Sequence, residues 1–222
     1  MKQTIKNLFR INWWATLRLN FGLLPWCDAR RLPIIVYGKL RLETCDGALQ
    51  LPPHAPRATV VIGSHHETYV ASGGRAQLSL HGTWKVEGRI CIGVDSCLYI
   101  GQGATLTTGG GCFIARDSQI HCFHQISIGH EVKAGEVYIT DSAAHTIVRG
   151  GNPSPMLGEV KVGDRCYLGF RTLLLKGCVL PPDSVVGSGA VCTRDYSTQG
   201  TSGLFLTGCP ATIKEREVKT ID

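Results

Sequence analysis

The sequence predicts an all-β protein that folds as a β-solenoid, and three observations support this. Residues 162–197 divide into six consecutive hexapeptides, each with an apolar first position. The chain before residue 141 also repeats, with a longer step. The composition is rich in glycine, with 27 of 222 residues, and holds only 16 Phe, Tyr and Trp. Such a composition suits short strands and tight corners better than a helical bundle.

The hexapeptides are VGDRCY, LGFRTL, LLKGCV, LPPDSV, VGSGAV and CTRDYS. Their first residues are Val162, Leu168, Leu174, Leu180, Val186 and Cys192, and the fifth residue is small in five of the six. Three such strands make one triangular coil, with the first residue pointing inward and the fifth in a corner. Glycine follows the first position at Gly163, Gly169 and Gly187, where we expect a corner to need its conformational freedom.

The earlier half of the chain advances in steps of fourteen residues. The steps start at Ser72, Val86, Ile100, Ile114 and Ile128, and an apolar residue lies six positions beyond each start. Helical periodicity does not fit this pattern. We therefore expect coils of fourteen residues here, shorter than the coils that follow. Between the two halves, residues 141–160 break the apolar rhythm, and His145 lies near the start of this gap.

Two domains are predicted. Residues 1–71 do not repeat and are expected to form an N-terminal cap, with a helix near 4–18 and irregular strands such as LPIIVYGKLRLE. Residues 72–222 are expected to form the solenoid, with a loop at 142–160 and a C-terminal tail at 198–222. The charged end of the tail, KEREVKTID, predicts a short helix that closes the other end.

Composition excludes several classes of protein. There is no run of about 18 uncharged apolar residues, so no membrane-spanning helix is expected. The N-terminus lacks a secretory core and a cleavage site, which predicts a cytoplasmic protein. The ten cysteines form no CxxC pair, and we expect reduced, small buried residues. No basic and aromatic recognition module is present, so nucleic acid is not an expected partner.

The N-terminus allows two interpretations. The first 43 residues hold eight Lys and Arg against Asp28 and Glu43, together with Trp13, Trp14 and Trp26. Basic charge with tryptophan suits peripheral contact with an anionic membrane, here the inner membrane surface. The interpretation that we favour is a cap helix whose tryptophans pack on the first coil.

Three stretches carry a resemblance to a known family: NFGLLPWCDARRLPIIVYGKL, VYITDSAAHTI, and VGDRCYLGFRTLLLKGCVLPPDSVVGSGAVCTRD followed by GCPATIKE. Together with the repeats they resemble the hexapeptide-repeat acyltransferase superfamily, and more narrowly the bacterial surface-polysaccharide O-acetyltransferases. The resemblance covers most of the chain, more loosely over 45–85. It implies a left-handed parallel β-helix that forms homotrimers, with active sites between subunits.

The resemblance also implies a mechanism. His145 matches the family's histidine base, and neutral imidazole titrates near the working pH, as removal of a hydroxyl proton requires. Asp141 matches the family's acidic position and would orient His145 or bind the sugar. The family commonly has an acidic residue and an aromatic residue between these two positions, where this chain has Ala143 and Ala144.

Acetyl-CoA is the implied donor, and no metal is expected. Position by position, the resemblance assigns cofactor binding to Gly169, Phe170, Ser188, Thr193, Arg194 and Lys214. Small residues let the thin pantetheine arm approach the backbone, and Arg194 could meet a phosphate. The family's usual Asn and basic residue in the tail are Cys209 and Thr212 here, which shifts the phosphate contact to Lys214. The net charge of +6 also suits CoA or an anionic glycan.

The leading interpretation is an acetyl-CoA-dependent O-acetyltransferase acting on a sugar hydroxyl of a surface polysaccharide or its precursor. An N-acetyltransferase on an amino-sugar nucleotide would use the same donor and histidine. A non-catalytic solenoid scaffold would bind no CoA and would tolerate His145→Ala. A zinc site formed by His121, His124 and His130 is less favoured, because a fourteen-residue period does not stack them.

Overall fold

Three parallel sheets form the sides of the molecule, and the chain visits the first, second and third sheet in turn in every coil. The computed structural model describes residues 10–64 and 74–218. Each sheet joins strands of successive coils side by side in parallel register. The inward side chains of all three sheets form one continuous core along the axis. The parallel β-helix predicted by the sequence is thereby confirmed.

The first sheet contains β1 (Ile34–Val36), β4 (Val60–Ser64), β7 (Ile90–Gly93), β10 (Cys112–Ile114), β13 (Lys133–Ala134), β18 (Tyr167–Leu168), β21 (Val185–Val186), β23 (Phe205–Thr207) and β24 (Thr212–Glu215). The second contains β2 (Leu40–Cys45), β5 (Ala76–Leu80), β8 (Cys97–Ile100), β11 (Gln119–Cys122), β14 (Val137–Thr140), β19 (Thr172–Leu174) and β22 (Val191–Cys192). The third contains β3 (Ala48–Gln50), β6 (Thr83–Val86), β9 (Thr105–Thr108), β12 (Gln125–Ile128), β17 (Val160–Val162) and β20 (Val179–Leu180). Outside these sheets lie helices α1 (Trp13–Leu23) and α2 (Trp26–Ala29), strands β15 (Ile147–Arg149) and β16 (Asn152–Ser154), and a 3-10 turn at Ser197–Gln199.

Three hexapeptides form each coil of the second half, as their pattern predicts. Tyr167 pairs with Val185, and Leu173 pairs with Val191, three hexapeptides further along in each case. All six first-position residues are buried, and so are all six fifth-position residues. Burial of this inward row requires stacking, because one coil alone would leave it open on both sides.

The glycines of the hexapeptides serve a different purpose from the one expected. The left-handed backbone falls at the fourth position, for example at Arg165 with φ 53° and Asp183 with φ 60°. At Gly163, a Cβ atom would lie 2.4 Å from the backbone nitrogen of Pro182 in the next coil. Glycine follows the inward residue because neighbouring coils come very close at this corner, so the expected reason was wrong.

The fourteen-residue period is wrong as a coil length. Cys97 pairs with Gln119 and Phe113 pairs with Lys133, so each early coil is longer than three hexapeptides. The early coils are therefore longer than the later ones, the reverse of the expectation. The residues that begin the fourteen-residue steps at 86, 100, 114 and 128 end β6, β8, β10 and β12, which are alternate strands along the chain. A sequence pattern records inward positions but not the sheet that each belongs to, so two strands were taken for a whole coil.

The N-terminal helix lies later in the sequence than expected. It spans Trp13–Leu23, whereas the prediction was a helix near 4–18, of which residues 4–9 lie outside the described residues. The Asn12 side chain accepts a hydrogen bond from the Ala15 N–H at 3.1 Å and fixes the helix start. Strands β1 to β4, which follow the helix, pair into the same three sheets as the rest of the solenoid.

The tryptophans of the N-terminal segment do not pack on the first coil. Trp13 is 41% exposed, Trp14 63% and Trp26 73%. The favoured interpretation of the N-terminus is wrong in this respect, because α1 turns smaller side chains toward the solenoid. Across residues 10–64 and 74–218, no helix is both long and apolar enough to cross a membrane.

The C-terminal tail forms a strand where a short helix was expected. β24 includes Lys214 and Glu215 and runs antiparallel to β23, with Leu206 opposite Ile213. The hairpin extends the first sheet beyond its last parallel strand and covers that edge, which satisfies backbone groups that a helix would leave open. The residues after 218 lie outside the described part of the chain.

The cysteines behave as small apolar residues of the coil. All ten are free thiols, and six of them are buried: Cys91, Cys112, Cys122, Cys166, Cys178 and Cys192. Burial raises the pKa of Cys166 to about 12, so this thiol carries no charge near neutral pH. The prediction of reduced cysteines acting as small hydrophobic side chains fits these six positions.

Candidate active site

The interruption at 141–160 is a hairpin that projects from one corner of the solenoid. The chain leaves the second sheet after β14 and enters the third sheet at β17. Between them, β15 and β16 pair antiparallel, with Ile147 opposite Ser154. His145 lies just before β15, and its side chain is exposed. The hairpin thus places the His145 imidazole in solvent, beside a corner of the three-sided solenoid.

Asp141 lies at the base of the hairpin and is fully buried. Its Oδ1 accepts a hydrogen bond from the Phe123 N–H at 2.8 Å, and its Oδ2 accepts bonds from the N–H groups of His124 at 2.7 Å and Gln125 at 2.6 Å. The carboxylate therefore closes the corresponding corner of the preceding coil. Within the described residues, no hydrogen bond joins Asp141 to His145.

Burial, followed by the nearby charge of Asp141, raises the pKa of the Cys122 thiol to about 12. The Cys122 Sγ lies 3.7 Å from Oδ2 of Asp141. The thiol is therefore neutral at physiological pH, and its S–H group can donate a hydrogen bond to the carboxylate or to the Thr105 carbonyl, which lies 3.4 Å away. With three backbone N–H groups already bound, this makes the corner a fully satisfied polar cluster in the core.

Hydrogen bonds close the base of the hairpin and join one of its arms to the next coil. The Gly158 N–H donates to the Asp141 carbonyl at 2.9 Å, and the Ala143 N–H donates to the Met156 carbonyl at 2.8 Å. Lys176, in the corner of the next coil, donates through Nζ to Ser154 Oγ at 3.2 Å and to the Pro155 carbonyl. The base of the hairpin is fixed on both of its arms, so the position of His145 is set by the solenoid.

Three of the predicted cofactor residues lie together at the corner between the first and second sheets. A Cβ atom on Gly169 would lie 2.6 Å from the backbone nitrogen of Ser188, so these two residues stack directly in adjacent coils. The Gly189 N–H donates to the Phe170 carbonyl at 2.8 Å, and the Phe170 ring is 42% exposed. This corner offers a surface of backbone and small side chains with one aromatic ring beside it.

Thr193 and Arg194 lie at a different corner, between the second and third sheets. Both are exposed, and they follow β22 in the same way that Asp141 follows β14 two coils earlier. The Arg194 guanidinium lies over the Tyr196 ring at 5.3 Å. Lys214 is exposed on β24, at the C-terminal edge of the first sheet.

One chain does not bring all of these residues together. His145, Thr193 and Arg194 share the corner between the second and third sheets, whereas Gly169, Phe170 and Ser188 share the corner between the first and second. The second sheet lies between the two corners, and its strand β19 of three residues spans roughly 10 Å. A ligand in contact with both sets in one copy would have to extend across the face of the second sheet.

A stripe of rings on the second sheet was missed by sequence reasoning. Tyr99 and His121 pair in register with ring centroids 6.5 Å apart, and His121 meets Tyr138 edge-on at 5.4 Å. Phe123, at the corner closed by Asp141, lies 5.2 Å from Tyr99. These outward positions alternate with inward Ile120 and Cys122, and this period-two pattern is the signal that could have revealed the stripe. Partial burial lowers the pKa of His121, so its ring favours the neutral form.

The three histidines considered for zinc lie apart. His121 belongs to the face of the second sheet, while the His130 Nδ1 accepts a hydrogen bond from the Gly110 N–H at 2.9 Å near the third sheet. His124 is exposed at the corner closed by Asp141. Within the described ranges, no group of three or more His, Cys, Asp or Glu side chains is arranged to hold a metal ion.

A cavity of about 550 Å³ lies on the third sheet, away from the predicted residues. Residues of four successive strands line it, among them Ser127 and Lys161, and Ser197 and Thr201 border it. None of the eight predicted catalytic and cofactor residues contributes to its lining. The cavity of one chain therefore does not coincide with the candidate active site, which is an open surface.

The three sheets define this chain as a parallel β-helix protein with hexapeptide coils. It is similar to the solved structures of OatWY, a polysialic acid O-acetyltransferase, and of NeuO, a polySia-specific acetyltransferase. OatWY is 16% identical, with 79% of this chain and 91% of that chain covered and a TM-score of 0.46. NeuO is 14% identical, with 83% of each chain covered and a TM-score of 0.47.

A third similar structure is a variant of AntD, an N-acyltransferase from Bacillus cereus, in complex with dTDP and coenzyme A. It is 8% identical, with 82% of this chain and 80% of that chain covered and a TM-score of 0.42. A scan against protein-family models gave no match, and a search of curated proteins gave none either. Likenesses at this level do not assign a reaction to this chain.

Proposed function

We propose that this protein is an acetyl-CoA-dependent O-acetyltransferase that acetylates a sugar hydroxyl of a surface polysaccharide or its precursor. The observation that carries the proposal is the anchored hairpin, which presents the exposed His145 beside a solenoid corner. A scaffold needs no such device, since the three-hexapeptide coils after the hairpin stack without one. A reactive side chain held in solvent by a rigid base is the arrangement that proton transfer to a bound substrate requires.

In the proposed reaction, the imidazole of His145 accepts the proton of the sugar hydroxyl as its oxygen attacks the thioester carbonyl. The tetrahedral intermediate collapses, the C–S bond breaks, and the sulfur of CoA leaves and takes the proton back from the imidazolium. The thioester is already activated, so the enzyme has to deprotonate a weak nucleophile and hold the two substrates in line.

We assign Asp141 a positioning role in this reaction. Its carboxylate binds the three N–H groups of residues 123–125 and stays buried, and its own carbonyl accepts the Gly158 N–H that closes the hairpin. Asp141 thereby ties one end of the hairpin to the preceding coil. Lys176 ties the other arm to the next coil.

The donor site is proposed to lie between two copies of a homotrimer. Gly169 and Ser188 of one copy would receive the pantetheine arm, because Gly169 has no side chain, Ser188 has only a hydroxymethyl group, and the two stack directly in adjacent coils. His145 would come from the neighbouring copy, with Arg194 near a phosphate and Lys214 as a second cation. Closed threefold symmetry repeats this heterologous contact three times.

The stripe formed by Tyr99, His121, Tyr138 and Phe123 supports a sugar acceptor. Sugar rings present apolar C–H faces that pack on aromatic rings, while hydroxyl groups bond to tyrosine and histidine. The stripe reaches the corner from which the hairpin leaves, through Phe123. An acceptor lying along the stripe would extend toward His145.

The test is calorimetric titration of acetyl-CoA, followed by a screen of hydroxyl and amino sugars for acetyl transfer. We expect saturable binding that weakens with Arg194→Ala and a rate that falls at least a hundredfold with His145→Ala. His54→Ala is the matched control, because His54 is an exposed histidine near the other end of the chain.

Three other results of these experiments would overturn the proposal or a part of it. Transfer to amino sugars alone would replace the proposal with an N-acetyltransferase. Absence of CoA binding to folded protein would overturn the donor and favour a scaffold. An equal loss of rate in His54→Ala and His145→Ala would overturn the role of His145.

A further inference from the structure

Helix α1 buries a mixed face, in which two polar side chains lie beside two apolar ones. Its buried residues are Ala15, Thr16, Leu19 and Asn20. An ordinary surface helix buries its large apolar residues and exposes its polar ones. Helix α1 departs from this pattern in two ways: Thr16 and Asn20 are buried, and its largest apolar side chains are exposed.

The inner face satisfies the open edge of the first sheet. Asn20 Oδ1 accepts a hydrogen bond from the Ile34 N–H at 3.1 Å, and Asn20 Nδ2 donates to the Ile34 carbonyl at 2.8 Å. Thr16 Oγ1 accepts a bond from the Val36 N–H at 3.1 Å. These side chains make the hydrogen bonds to the β1 backbone that a neighbouring strand would otherwise make. The burial of Thr16 and Asn20 is therefore explained by the fold.

The outer face is large, apolar and unexplained by the fold. It consists of Trp13, Trp14, Leu17, Phe21 and Trp26, each more than 40% exposed. Trp13, Leu17 and Phe21 are spaced by four residues and follow one stripe of the helix. The Phe21 and Trp26 rings lie 5.1 Å apart, which extends the stripe to α2. We call these five residues the tryptophan face.

Cations border the tryptophan face. The Arg18 guanidinium lies over the Trp14 ring at 5.0 Å, and Arg10 and Arg30 are exposed at the two ends of the segment. Between residues 10 and 42, Asp28 is the sole acidic residue of the sequence, and it lies 3.7 Å from Arg31. An apolar, indole-rich centre with a cationic border is complementary to a surface that is negative outside and apolar beneath.

We propose that the tryptophan face docks the protein on an anionic lipid bilayer. Indole rings settle at the level of the lipid headgroups, where their apolar bodies and N–H groups are both satisfied. Arginines beside them pair with anionic headgroups, and each contributes roughly fivefold to partitioning. The docking holds the N-terminal end of the solenoid at the membrane. It does not depend on the acetyltransferase reaction.

The test uses the full chain with vesicles of phosphatidylcholine alone and of phosphatidylcholine mixed with phosphatidylglycerol. Of the four tryptophans, Trp84 is 1% exposed, so the other three report contact with lipid through their fluorescence. We expect a blue shift and co-flotation with the anionic vesicles, both reduced by added salt. Little binding to the neutral vesicles is expected.

Two variants locate the surface. Trp14→Gln with Trp26→Gln removes the two most exposed indoles and should reduce binding at least tenfold, with circular dichroism unchanged because both rings are in solvent. Arg18→Gln with Arg30→Gln should reduce binding by roughly 25-fold. The charge-matched control, Lys85→Gln with Arg89→Gln, changes two exposed cations elsewhere and should bind like the wild type.

Three outcomes would overturn the proposal. The first is equal binding to neutral and anionic vesicles, or none to either. The second is equal weakening by the control pair and the Arg18 and Arg30 pair. The third is a smaller solution mass for the Trp14 and Trp26 variant than for the wild type without lipid, which would assign the tryptophan face to contact between copies of the chain.

Discussion

At the scale of single residues, two corner positions in each hexapeptide have different requirements. The second position must be small where the next coil comes close, as at Gly163 and Gly169. The fourth position must adopt a left-handed backbone, and Arg165, Arg171 and Asp183 do so without being glycine. Each such residue costs on the order of 1 kcal/mol, which the stacked coils offset.

Replacing Gly163 with alanine should destabilise the fold by about 2 kcal/mol. The new Cβ would lie 2.4 Å from the Pro182 nitrogen, and backbone atoms cannot yield as a flexible side chain can. Chemical denaturation measures the loss. Gly22→Ala is the control, since nothing lies within 4 Å of that Cβ and alanine favours helix, so stability should rise by about 0.5–1 kcal/mol. Equal effects of the two variants would contradict the close approach.

Asp141→Asn should destabilise the protein by about 2–3 kcal/mol. The change keeps the shape but removes the charge that three backbone N–H groups bind, and it can turn an NH₂ group toward those donors. The matched control is Asp164→Asn, where the carboxylate accepts the His130 N–H at 2.8 Å in a more open corner, with a loss of about 1 kcal/mol. Urea unfolding compares the two. A loss of activity without a loss of stability would instead indicate a direct catalytic role for Asp141.

At the scale of elements, the hairpin between β14 and β17 leaves the path of the coil. Its strands are short and its outer side chains are exposed, including Ile147 and Val148. Two strands alone are marginally stable in water. The folded conformation of the hairpin therefore depends on its contacts at Asp141 and Lys176 with the neighbouring coils.

Lys176→Met should loosen the hairpin without weakening the solenoid. Methionine keeps most of the length of the side chain but removes the bonds to Ser154 and Pro155. We expect amide hydrogen exchange between 143 and 157 to speed up on the order of fivefold, with the midpoint of global unfolding unchanged. Lys85→Met, on β6 in the third sheet, is the control and should leave the exchange as it is. Faster exchange throughout the solenoid would show a general effect of the substitution.

At the scale of the whole molecule, the solenoid fixes which residues one copy can combine. Residues of one corner stack along the axis, so His145, Lys176 and Arg194 share a side of the prism. Gly169 and Ser188 share another corner, across the second sheet. If one CoA contacts these two corners on neighbouring copies, as proposed, the site exists only in an assembly.

Mixed oligomers test this arrangement. His145→Ala lacks the base, and Ser188→Trp fills the exposed corner that would receive CoA. Each variant alone should be inactive. Trimers reassembled from an equal mixture should regain about a quarter of the wild-type activity, because one site in four pairs an intact His145 with an intact Ser188 corner. An inactive mixture that has exchanged subunits, as mass measurement would show, would place the complete site in one copy.

The sequence by itself determined the parallel coil, the three-hexapeptide repeat of the second half and the position of the interruption. These follow from which residues are apolar or small, and burial of an inward row depends on little else. The length of the early coils did not follow, because equivalent inward residues in different sheets look alike. The C-terminal helix was wrong for a related reason, since the charged residues Lys214 and Glu215 are exposed in a strand at a sheet edge, as they would also be on a surface helix.

Only the tertiary structure decided what the polar residues contact. The buried carboxylate of Asp141 bonds to residues 123–125, which a sequence pattern does not connect to it. Thr16 and Asn20 of α1 are buried because they bond to the edge of β1, while Trp13 and Trp14 of the same helix are exposed. Hydrophobic burial is set by local periodicity, but hydrogen bonding depends on partners brought close by the coil, so its details appear only in three dimensions.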